Sequence, residues 1–370
     1  MRQQQRQFAG SPTIVPVDAH SQIFALLADM HLLTARQDGA ILADTSLDPR
    51  APINTVRATG HYLALGTENQ HVYVLVPRQP QALDLVVAVN AVSAHIESTY
   101  TLPGGDYHSI TVGAQTGQLF VFGDRGSSAI VTVIDPANGA NASTWTARSE
   151  DGHAWTVYQG SVSADQRRIY VSYHGTDTTG LDWFDVTPDG LVRCLSAEPA
   201  NFGCIASHGA FAVLPNELLV ATGGPMILDV DATGVVRRAF DTGLQGNHLM
   251  EFVADPAAER LYAVGSCGYS GGFSAASLRR PGIPTTPTIP GEWSWAIAPQ
   301  PPQVLLKTQP CGERLSLGSA GLVVGKTAQP VAQPARHGAL LMVDPSSGRL
   351  TWQIETASEP LDVLALPPIF

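Results

Sequence analysis

A short strand-like pattern, an aliphatic residue followed by an aromatic or a second aliphatic one, recurs along the chain. It occurs at Ile23-Phe24, Val72-Tyr73, Leu119-Phe120, Ile169-Tyr170, Leu218-Leu219, Leu261-Tyr262 and Leu322-Val323. Successive copies lie 43 to 61 residues apart, and self-similarity at such a period marks a repeat architecture. A second aliphatic stretch follows most copies and ends in a turn carrying Asp and Gly, as in Val133-Ile134-Asp135-Pro136-Ala137-Asn138-Gly139 and Met342-Val343-Asp344-Pro345-Ser346-Ser347-Gly348. Weaker versions end at Gly39, Gly190 and Gly234, and the second and sixth copies lack the pattern. Asp opens such turns by bonding backbone N–H groups, and Gly supplies the positive φ.

Each unit therefore reads as four strands. In the third copy they fall near Ser109–Ala114, Gln118–Gly123, Ala129–Ile134 and Ala142–Ala147. A lone sheet leaves two apolar faces bare. Stacking such sheets radially buries both faces and leaves only short outer edges. The predicted fold is all-β: a seven-bladed β-propeller of four-stranded antiparallel blades. A helical solenoid is excluded because no 3.6-residue apolar period persists for ten residues or more. Residues 1–12 read as an N-terminal tail, and 13–370 as one propeller domain with a Pro/Gly-rich loop insertion at 268–310. Thr13–Val17 and Leu361–Leu366 are both candidates for the innermost strand of the first blade. Ring closure using both termini is the expectation.

Ser163-Ala164-Asp165-Gln166-Arg167-Arg168-Ile169-Tyr170-Val171 resembles the inner hairpin of YVTN-type and quinoprotein-like propellers. Phe252-Val253-Ala254-Asp255-Pro256 running into Arg260-Leu261-Tyr262 is similar. Gly60-His61 and Gly152-His153 resemble the Gly-His pair of WD-repeat (WD40-like) blades, and Trp183-Phe184-Asp185 loosely resembles their Trp-Asp. The resemblance implies the fold and no single function, because this fold hosts lactonases, dehydrogenase subunits, surface proteins and scaffolds. The His-rich signature of the lactonase-like members is missing from the sequence.

Composition narrows the partners. The net charge is −11, and Lys307 and Lys326 are the only lysines. Nucleic acid requires a clustered basic surface, so it is disfavoured, as is an anionic membrane. No apolar run reaches the length of a transmembrane span. A protein or small-molecule ligand, met by a monomer at its loop face, is the expectation.

Five of the eleven histidines fall at one place, just before the innermost strand: His61, His108, His153, His208 and His248. Apolar residues follow each at +2 and +4. In a propeller these positions surround one mouth of the central channel. Neutral imidazole is a common metal ligand, so a metal ion at an axial cluster of His108, His153, His208 and His248 is one reading, with no cofactor firmly implied. The other is a structural contact repeated in each blade, as in WD repeats. Asp106 and Asp151 share the same loops and either orient imidazoles or are simply solvated.

Cys194, Cys204, Cys267 and Cys311 bracket two connections. Cys194–Cys204 and Cys267–Cys311 are the natural pairs, and disulfides favour an oxidising, extracytoplasmic compartment. The polar N-terminus has no signal-like apolar segment, which leaves the cytoplasm as the alternative. Trp293 and Trp295, within 268–310, either stack on a ligand or fasten the loop to the propeller. There is no Gly-x-Ser-x-Gly elbow, no phosphate-binding Gly motif and no His-Glu-x-x-His. The expected function is a non-enzymatic, exported binding propeller working through its loop face and channel mouth. The alternative is a propeller enzyme with an axial His-lined metal site or quinoprotein-like oxidoreductase activity.

Overall fold

The structure is a computed structural model. It describes residues 22–47, 60–78, 82–126, 128–148, 156–174, 179–187, 190–193, 211–214, 217–221, 226–231, 236–241, 249–255, 260–265, 273–279, 303–308, 312–319, 321–327, 338–345 and 349–366. Among these residues the strands pair into seven sheets of four, every pairing antiparallel. The chain is an all-β propeller of four-stranded antiparallel blades.

Burial explains why these segments form these strands. The two middle strands of a sheet are covered on both faces by neighbouring sheets, so they read as continuous apolar runs. Gln22–Leu27, His71–Val76 and Gly338–Val343 are of this kind. The outermost strands, such as Ile96–Thr101 and Leu350–Thr356, are largely exposed and rich in polar residues. Their charges and hydroxyls blunt an edge that would otherwise invite pairing with another chain. The core lies between sheets: Ile23 and Ala25 of the first pack with Val323 and Met342 of the seventh. Phe120 and Phe122 of the third pack with Val157 and Ile169 of the fourth.

The first sheet is built from distant parts of the sequence. Its innermost strand is Pro360–Ala365, paired with Gln22–Leu27 in the register Phe24 to Leu364 and Ala25 to Val363. The Leu361–Leu366 candidate therefore occupies the place expected of it, while Thr13–Val17 lies outside the described residues. Each innermost strand touches the next: Pro360–Ala365 meets Leu63–Leu65, then come Asp106–Val112, Thr156–Val162, Phe211–Leu214, Leu249–Asp255 and Gly312–Gly318, which returns to Pro360–Ala365.

Two sequence readings need correction. The segment 268–310 is not one loop, because Phe273–Arg279 and Gln303–Thr308 pair as the third and fourth strands of the sixth sheet. The sixth copy lacks the Asp–Gly turn that joins these two strands in other blades, which hid them. The long connection is 280–302, which lies outside the described residues along with Trp293 and Trp295. It joins the third strand to the fourth, so it leaves from the end of the ring opposite the start of the innermost strands, not from the histidine end. The second correction concerns the turn missing from the second copy. Asn90 and Ala94 make it, with Asn90 Oδ1 accepting the Val92 and Ser93 N–H groups and the Ala94 N–H donating to Asn90 O at 2.9 Å. Ala94 takes a left-handed φ of 58°, where Gly139 has 65° in the third sheet.

Candidate functional site

The innermost strands share one register. Leu63, Ile110, Gly160, Phe211, Phe252, Leu315 and Val363 each face the third residue of the common motif strand: Val74, Val121, Val171, Val220, Ala263, Val324 and Ala25. Just before this position, five of the sheets carry a β-bulge. A bulge inserts one unpaired residue and re-aims its neighbours. The residue after it is Asp362 in the first sheet, Ser109 in the third, Gln159 in the fourth, Glu251 in the sixth and Arg314 in the seventh.

These polar side chains reach across to the backbone of the following blade. Asp362 Oδ2 accepts the Tyr62 and Leu63 N–H groups at 2.6 and 2.8 Å. Ser109 Oγ donates to Gly160 O at 3.3 Å. Gln159 accepts from Phe211 N at 3.2 Å and donates to Phe211 O at 2.8 Å. Glu251 Oε2 accepts Leu315 N–H at 2.8 Å. Between the second and third sheets the backbone does the same, Ile110 N–H donating to His61 O at 2.8 Å. A second layer lies behind: Asp84 accepts Tyr107 N–H at 3.0 Å, and Asp124 accepts Val157 N–H at 3.3 Å. Satisfying buried N–H groups in this way avoids a cost of about 1–3 kcal/mol for each one left bare.

Where the first, second, sixth and seventh sheets converge, the ring becomes ionisable. His61 Nδ1 lies 3.7 Å from Glu251 Oε1, and His61, Glu251 and Asp362 place one donor atom each within 4.8 Å of one another. Glu251, Asp362 and Arg314 are buried, whereas the His61 side chain keeps 26% of its surface open to the channel. Burial pushes the Glu251 carboxyl up to about 8; Arg314 and the Leu315 N–H pull it down, and Asp362 adds to the rise. Burial lowers the His61 imidazole, Asp362 and the nearby Gln159 amide pull it back up, and Arg314 lowers it further. His61 also borders a cavity of about 310 Å³ walled by Leu63, Ile110, Gln159, Gly160 and Leu364.

Of the five histidines, His61 and His108 fall among the described residues, two residues before Leu63 and Ile110. The matching position is Tyr158 in the fourth sheet and Met250 in the sixth. His153, His208 and His248 lie outside the described residues. The two matching histidines also differ in role. His108 is buried and its Nε2 sits 3.2 Å from Asp124 Oδ2 within its own sheet, while only His61 meets the carboxylates of other blades. Asp106 is exposed at the start of its strand. Asp151 and the four cysteines lie outside the described residues.

Glu251, Asp362, Arg314 and Gln159 were not singled out from sequence. The signal was nonetheless present: a polar residue directly before an alternating aliphatic stretch, in Asp362-Val363-Leu364-Ala365, Glu251-Phe252-Val253-Ala254 and Arg314-Leu315-Ser316-Leu317.

At the opposite end of the ring, a cleft of about 860 Å³ opens between the fourth and fifth sheets. Asp165, Arg167, Arg168, Tyr170, Asp185 and Arg237 contribute to its lining. Arg168 Nε bonds Asp185 Oδ1 at 3.0 Å. The Ser163 hydroxyl and Arg167 N–H hold the Asp165 carboxyl below its ordinary value. Among the described residues, no helix is long and apolar enough to cross a membrane.

No protein-family model matches the sequence, and no curated protein matches it. Solved structures do. A protein from Lactobacillus plantarum superposes with a TM-score of 0.59 at 16% identity, over 93% of this chain and 98% of that one. The Cps50 (Swd1) β-propeller domain of Myceliophthora thermophila gives 0.55 at 13% identity, over 83% and 89%. The dihydro-heme d1 dehydrogenase NirN, solved in complex with DHE, gives 0.54 at 11% identity, over 96% and 77%. The chain thus has a β-propeller fold resembling both WD40 and NirN-type propellers.

Proposed function

We propose that the protein is a non-enzymatic binding propeller of seven blades closed into one ring, holding a protein or small-molecule ligand at an end of that ring. The unbroken succession of contacts between innermost strands supports the seven-bladed reading. The cleft between the fourth and fifth sheets carries the binding reading. It is large enough for a ligand or an inserted peptide side chain, since ligand pockets span roughly 300–1,000 Å³. It offers both signs of charge beside Tyr170, which suits a polar partner. It also opens on the end of the ring from which the 280–302 connection departs.

The test is quantitative co-purification from the producing cells with wild-type protein and an Arg167→Glu/Asp165→Lys variant. A partner recovered at least tenfold less with the variant supports the reading. Equal recovery overturns it. An axial-site enzyme is the second reading, favoured by the convergence of His61, Glu251 and Asp362. Turnover of any substrate abolished by Glu251→Gln would put it first. The extracytoplasmic assignment rests on the even cysteine count. A non-reducing mass measurement showing two disulfides supports it, and four free thiols after aerobic purification overturn it.

A further inference from the structure

We propose that His61, Glu251 and Asp362 form a site for one divalent metal ion of the zinc or cobalt class on the channel axis. One imidazole nitrogen and two carboxylates are the donor types such ions take, and three protein ligands with one open position is the arrangement of accessible zinc sites. The 3.7 Å between His61 Nδ1 and Glu251 Oε1 is close to the edge of a metal tetrahedron, about 3.3–3.5 Å for ligands at their usual bond lengths. The three donors already lie within 4.8 Å of one another. The open position faces the cavity of about 310 Å³ that His61 borders.

The donors are preorganised. They sit on or beside the innermost strands of three sheets. Leu315 N–H fixes Glu251 through Oε2 and leaves Oε1 turned toward His61. Tyr62 and Leu63 N–H groups fix Asp362. Gln159 lines the same cavity as His61. Arg314 is the opposing charge. Two carboxylates cancel a divalent ion, and Arg314 leaves the site one unit positive, so weaker binding than at a structural zinc site is expected. The inference does not depend on the binding cleft at the other end of the ring.

The experiment uses the full chain freed of metal with a chelator. Zinc is titrated in competition with a chromophoric chelator, and cobalt(II) is added to a second sample to read ligand type from its absorption. The expected result is one equivalent bound, with a nitrogen/oxygen cobalt spectrum lacking thiolate charge-transfer bands. Affinity should fall at least tenfold in both His61→Gln and Glu251→Gln. Glu251→Gln keeps an acceptor for Leu315 N–H, so it decides the matter if His61→Gln does not fold. No stoichiometric binding, binding unchanged in Glu251→Gln, or a thiolate spectrum would each overturn the proposal.

Discussion

Asp362 and Leu63 stand 299 residues apart in sequence, yet a hydrogen bond of 2.8 Å joins the carboxylate of one to the backbone N–H of the other. The same oxygen takes Tyr62 N–H at 2.6 Å, so one buried side chain holds the first and second blades together. Asp362→Ala leaves both N–H groups bare. The expected loss is about 2–4 kcal/mol in urea unfolding. Asp362→Asn, which retains one acceptor oxygen, should lose less.

Stability of the metal-free protein should fall as pH rises. The folded-state pKa of Glu251 is about 8, above its ordinary value of 4.5. The native state then holds a proton that the unfolded chain releases. The contribution is fully present below about pH 4.5 and is lost progressively up to about pH 8, an effect of up to a few kcal/mol. His61 acts in the other direction: its lowered pKa costs stability as pH falls below its ordinary 6.5. Denaturation midpoints measured from pH 5 to 9 should decline in wild type. Glu251→Gln should flatten that decline.

Gly160 sits against the ring of Phe122 in the neighbouring blade, and a Cβ there would lie 2.0 Å from Phe122 Cγ. Phe122 is fully buried and has nowhere to retreat. Gly160→Ala should destabilise by about 1–3 kcal/mol or more through overpacking. A compensating Phe122→Leu in the same chain should recover part of the loss, and thermal unfolding of the two variants measures both.

Ala94 adopts a φ of 58°, a conformation that costs a side-chain-bearing residue about 1 kcal/mol or more. Ala94→Gly should raise stability by roughly 0.5–1 kcal/mol after the greater freedom of glycine in the unfolded chain is subtracted. A rise in unfolding midpoint without a change in denaturant slope is the expected signature.

The repeat was legible because the middle strands must be apolar on both faces, and Leu119-Phe120-Val121-Phe122 states that requirement directly in sequence. The last two strands of the sixth sheet, Phe273–Arg279 and Gln303–Thr308, were not, because the long 280–302 connection stands where other blades carry the Asp–Gly turn. The candidate site was legible only in part. His61 was found through its motif, a Gly-His pair just ahead of an innermost strand. Glu251, Asp362 and Arg314 come from three separate blades, and their meeting depends on side-chain directions set by bulges. No local pattern encodes where such directions converge.

The first sheet carries a cost in time. Gln22–Leu27 leaves the ribosome long before Pro360–Ala365, the strand that covers its inner side. At typical elongation rates of about 5–20 residues per second, the delay is on the order of tens of seconds. Throughout it, Phe24, Ala25 and Leu26 belong to a nascent hairpin with one row of peptide groups unpaired. Such a row is a template for any passing extended chain. Newly made protein is therefore most open to capture by chaperones, or to mispairing with a second nascent copy, along that one uncovered strand.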